Sequence, residues 1–83
     1  MRSDERDALL ATVKEKKQQL ERLIDEAASD KEAMDKIPDE TQMKKIDTLF
    51  EELSSLHTQL RWPQRIIDRE MKPLQGKRDA LLQ

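Results

Sequence analysis

Along three stretches of this chain apolar residues recur at alternating spacings of three and four, and prolines stand between the stretches. In the first, Val13, Leu20, Ala27 and Met34 fall seven apart with Leu9, Leu10, Leu23 and Ile24 beside them, which is the stripe of an amphipathic helix. In the second, Met43, Ile46, Phe50, Leu53, His57 and Leu60 keep the same rhythm, and Leu49 and Leu56 widen it. Ile66, Ile67, Met71, Leu74, Leu81 and Leu82 carry the third. A proline inside a helix removes a hydrogen bond and clashes with the preceding turn, at about 3 kcal/mol, so Pro38 and Pro63 mark breaks. The pattern predicts an all-α fold, a small antiparallel three-helix bundle forming one domain over 1–83. Its helices are expected at about 4–33, 40–61 and 64–82. Pro73 and Gly76 predict a kink or break of the third helix near Pro73.

The ends of the stretches carry their own signals. Ser3 is placed to cap the first helix, with Asp4 and Glu5 in its first turn where negative charge favours the helix dipole. Asp39 or Thr41 is placed to cap the second, and Asp39 with Gln42 has capping-box spacing. Pro63 suits the first turn of the third. Around Lys14-Glu15-Lys16-Lys17 the first stripe narrows, and lysine stems can cover apolar surface there. Lys17 with Glu21 and Arg22 with Glu26 are spaced as helical ion pairs on a solvated face. At 1.5 Å per residue the first helix spans roughly 45 Å against about 33 Å for the second. Its start, Leu9, Leu10 and Val13, is therefore expected to overhang the bundle and to need another surface.

Composition sharpens the class. Of 83 residues, 41% are charged, 35% hydrophobic and 2% aromatic, with one glycine, which is the make-up of long helices rather than of a sheet-containing enzyme. A thin core and modest stability follow, or help from a partner. The net charge of −2 argues against nucleic acid as a partner. It is unevenly spread: residues 1–60 hold 10 Lys+Arg against 15 Asp+Glu, net −5, and residues 61–83 hold 6 against 3, net +3. Those two regions can neutralise each other within the bundle, or the last helix can offer Arg61, Arg65, Arg69 and Lys72 to an acidic partner, with Asp68 and Glu70 interleaved. No cysteine is present, the first residues lack an apolar leader, and no run is long enough to span a membrane, so a cytoplasmic location without membrane contact is the expectation.

The groups that usually carry chemistry are few. His57 is the single histidine and lies on the apolar seam, where a structural role is expected. Ser54 and Ser55 lie close to it without a third group to orient the imidazole. Adjacent carboxylates such as Glu51-Glu52 diverge by about 100° on a helix and cannot share a proton. No phosphate loop or zinc spacing occurs, so no catalytic residue, metal or cofactor is expected. Trp62 either plugs the end of the core or anchors an interface. Met34, Met43 and Met71 lie on stripe positions and are expected in the core, the alternative being an adaptable binding surface.

From Lys36 onward the spacing resembles the C-terminal helical lid of the DnaK-type heat-shock chaperones. The elements that carry the likeness are Asp35-Lys36-Ile37-Pro38, then Ile46, Phe50, Leu53 and Leu60, then Ile67, Met71, Leu74 and Leu81. It covers residues 17–83, while Trp62-Pro63, Pro73 and Gly76 depart from the pattern. The resemblance implies a module that hydrolyses nothing and covers the peptide groove of a separate substrate-binding domain. The sequence is thus read as a non-catalytic interaction module for a protein partner or client polypeptide, bound through Leu9, Leu10, Val13, Trp62, Arg61, Arg65 and Arg69. The alternatives are a homodimeric adaptor or small secretion-type chaperone, and a helical-hairpin RNA binder.

Overall fold

The computed structural model describes residues 2–83 as three α-helices and no strands among them. Helix α1 runs Ser3–Met34, α2 Glu40–Gln59 and α3 Gln64–Ala80. At 1.5 Å per residue the 32 residues of α1 extend about 48 Å, the full long axis of a molecule measuring 48 × 21 × 16 Å.

Two of the expected end signals are corrected. Ser3 is the first helical residue rather than the cap; Arg2 occupies that place with extended backbone and no side-chain capping bond. Pro63 likewise sits just ahead of α3, one residue before the position expected for it. Asp39 does cap α2, and its Oδ1 accepts from the Gln42 N–H at 2.8 Å while Thr41 lies inside the helix.

Pro73 does not break α3, which is continuous through it. The ring removes the donor that would reach the Arg69 carbonyl, but Pro73 and Arg69 are both exposed, so water can satisfy that oxygen. Nor does Gly76 interrupt the helix: its φ is not positive and a Cβ there would meet nothing within 4 Å. After Ala80 the chain tightens into a last turn, with the Leu81, Leu82 and Gln83 N–H groups donating to the carbonyls of Arg78, Asp79 and Ala80.

The core is built from the predicted stripes. Val13, Leu20, Ile24 and Ala27 of α1 pack with Met43, Ile46, Leu49, Leu53 and Leu56 of α2 and with Met71, Leu74 and Leu81. Met43 and Met71 are core as expected, whereas Met34 is 65% exposed because the α1 stripe leaves the core after Ala27.

Lysines and an arginine tie the helices at the edges of this core. Lys16 pairs with Glu52 of α2, Lys17 with Glu70 of α3, and Arg78 meets Asp47 through two bonds of 2.9 and 3.0 Å. Lys17 therefore reaches across helices instead of forming the expected pair with Glu21, and no Arg22–Glu26 pair forms among the described residues. These partly exposed pairs contribute at most about 1 kcal/mol each, so they set register more than stability.

Candidate functional site

The two chain reversals share a construction. Each helix is ended by a non-glycine residue in the left-handed region, Asp35 at φ 52° and Arg61 at φ 56°, and each reversal then passes through an apolar residue and a proline. At the second reversal the Arg61 N–H donates to Thr58 O at 3.1 Å and the Trp62 N–H to His57 O at 3.2 Å. This pair of bonds is the Schellman closure, which normally brings the residue after the left-handed one back onto the last helical turn. Trp62 does so: it packs against the core and stacks on the His57 ring at 4.8 Å between centroids and 20° between planes. Of the two roles open to Trp62, the packing is that of a half-buried plug.

His57 lies beneath it, 1% exposed, with neither Nδ1 nor Nε2 making a hydrogen bond. Burial pushes its pKa below the ordinary value near 6.5; the Glu70 carboxylate opposes that shift and the Lys17 ammonium adds to it. A cleft of about 270 Å³ alongside brings Ser54, His57 and Asp68 together, including the third group that the sequence did not reveal. They do not form a charge relay. Both ring nitrogens are sealed and unbonded, and the Asp68 carboxylate accepts from Gln64 Nε2 at 2.8 Å instead. Among the described residues, no three His, Asp or Glu side chains gather as a metal site, and no helix is long and apolar enough to cross a membrane.

The expected apolar overhang of α1 is corrected. Val13 is a core residue at 7% exposure, Leu9 is half-buried against the core and Leu10 is half-buried. What projects is the polar run from Arg2 to Asp7 with Ala8, which offers no apolar docking stripe. Arg61, Arg65 and Arg69 are exposed and make no ion pair among the described residues.

The exposed apolar surface lies elsewhere. Met34, Ile37 at 58% and Leu82 at 46% are the large hydrophobic side chains left in solvent among the described residues. They share one end of the bundle, because Lys31 Nζ donates to Ala80 O at 2.9 Å and also to Gln83 O, holding the last turn of the chain beside the end of α1. Between those segments opens a groove of about 640 Å³, floored by Ile24, Ala28, Ala80 and Leu81 and edged by Asp25, Glu32 and Lys77. One sequence signal pointed here: Ile37 precedes Pro38, which biases it away from the helical region, and it lies outside the helices. No protein-family model, curated protein or solved structure matches the chain.

Proposed function

We propose that the protein is a non-catalytic helical interaction module whose apolar end takes a partner polypeptide. The observation that carries this reading is the exposure of Met34, Ile37 and Leu82 at the end of the bundle that holds an open groove, where the other large apolar side chains among the described residues are buried or half-buried. Side chains of this kind gain about 25 cal/mol per Å² when covered, and methionine adapts readily to a partner's shape. The groove walls add polar groups that can orient what binds. A lid of the DnaK type is the form suggested by the resemblance of residues 17–83, and the length of α1 supports it. In that arrangement contact runs through Met34, Ile37 and Leu82, since Val13 is already committed to the core.

The test is photo-crosslinking in cells, with the reactive side chain placed at Ile37 or Leu82 and, as a control, at exposed Gln18. The reading expects discrete adducts from the two apolar positions that disappear when Met34 is replaced by serine. An adduct with a second copy of the chain would assign the surface to a homodimer. Equal labelling from Gln18, or none from the apolar end, would overturn the proposal.

A further inference from the structure

The corner between α2 and α3 displays the opposite chemistry. Arg65, Arg69 and Lys72 occupy one outward face of α3 at helical spacings of four and three, and Arg61 stands just before them. Of the acidic residues between them in sequence, Glu70 is turned to α1, and Asp68 stays at the edge of the ridge, lining one cleft with Lys72. Glu70 is held by Lys17 of α1, and Asp68 is bonded to Gln64 beside the His57 cleft. The ridge is therefore freed of Glu70 and bordered by one carboxylate, Asp68, while Arg65 and Arg69 make no ion pair among the described residues.

Several features of this ridge are unfavourable to the isolated fold. Arg65 and Arg69 are like charges one turn apart, where helical neighbours repel. Arg65 also lies in the first turn of α3, the positive end of the helix dipole, and that turn has no acidic residue. Arg61 holds the left-handed conformation that glycine adopts without penalty. Carboxylates docked against the ridge add attractive terms that offset both repulsions.

We propose that Arg61, Arg65, Arg69 and Lys72 form a docking ridge for an acidic helical segment of a partner protein, one presenting carboxylates at four-residue spacing. A helix with that spacing places its carboxylates about 6 Å apart, the interval at which Arg65 and Arg69 stand. A short acidic segment suits the molecule better than nucleic acid does. A long polyanion would run onto residues 1–60, which are net −5, and the ridge carries no exposed aromatic ring for base stacking, Trp62 being engaged with His57. The ridge lies on a different face from the apolar end, so either assignment can fail alone.

The experiment is fluorescence anisotropy with the full chain and a labelled alanine-rich helical peptide of about 20 residues carrying Glu at every fourth position. Binding is expected at about 50 mM salt and should weaken steeply by about 300 mM. The variant Arg65→Gln/Arg69→Gln should lose about tenfold or more in affinity, while Lys44→Gln/Lys45→Gln on α2 stays within about twofold of the parent. Arg69→Lys, which keeps the charge, should retain most binding, and circular dichroism of each variant should show unchanged helix. No binding of the peptide, an equal loss in the α2 control, or tighter binding of single-stranded RNA of equal length would overturn the proposal.

Discussion

The two reversals of this chain start from nearly the same backbone and finish differently. Asp35 and Arg61 both end a helix in the left-handed region, and a proline follows each by two or three residues. After Arg61 the next residue, Trp62, folds back on His57 and becomes part of the core. After Asp35 an additional residue, Lys36, separates the left-handed position from Ile37, and Ile37 points into solvent. The backbone device reverses the chain in both places; what decides whether the corner is closed is the side chain that arrives after it and the surface it meets. A large aromatic ring arriving over the last turn of α2 closes one corner. A branched aliphatic before Pro38, outside any helix, leaves the other open, at the same end as Met34 and Leu82.

Substitution at the apolar residue of each turn should separate the corners most strongly. Trp62→Ala should destabilise the protein by about 2 kcal/mol, because it removes a ring and uncovers a buried histidine. Ile37→Ala should change stability by less than about 0.5 kcal/mol, as expected for a side chain already in solvent. Urea unfolding followed by circular dichroism measures both, and equal losses would erase the distinction.

The left-handed residues differ more gently. Arg61→Gly should stabilise by about 0.5–1 kcal/mol, since the arginine side chain makes no local hydrogen bond that favours this conformation and the backbone bonds remain with glycine. Asp35→Gly should gain less, because aspartate tolerates the left-handed region. Thermal melts of the two variants, compared at one pH and salt, check the order.

A smaller effect tests the closed corner through its histidine. Burial holds the His57 pKa below 6.5, so in the unfolded chain the ring takes a proton at higher pH than in the folded one. The contribution of the neutral ring is therefore fully present above pH 6.5 and is lost as the pH drops below it. Glu70, whose carboxyl is held below its ordinary 4.5 chiefly by the Lys17 hydrogen bond, adds to the decline only at lower pH. Urea midpoints measured from about pH 7 to about pH 5 should fall for the parent and stay nearly level for His57→Phe. A parent midpoint independent of pH over that range would contradict the buried, unbonded ring.

Helix number and extent were legible because apolar spacing and proline are local properties. The three stripes and the Asp39 cap lie where the sequence places them, and the helix ends differ by one or two residues. What was not legible depends on distance in space. Val13 reads as overhang when helix lengths are compared, yet it is covered by the bundle. Pro73 reads as a break, but its position on the exposed face lets the helix continue with one carbonyl given to water. The left-handed turn at Arg61 carries no glycine to announce it. The removal of Glu70 from the basic ridge depends on its pairing with Lys17, a partner 53 residues away.

Amide hydrogen exchange on the unmodified protein, resolved residue by residue, tests the contrast between the corners most directly. The Arg61 and Trp62 amides, bonded to Thr58 and His57, should exchange slowly and together with the last turn of α2. The Lys36 and Ile37 amides, in a segment without regular structure, should exchange near the rate of an open chain. Comparable protection at both corners would contradict the account, because the end assigned to a partner polypeptide would then already be closed.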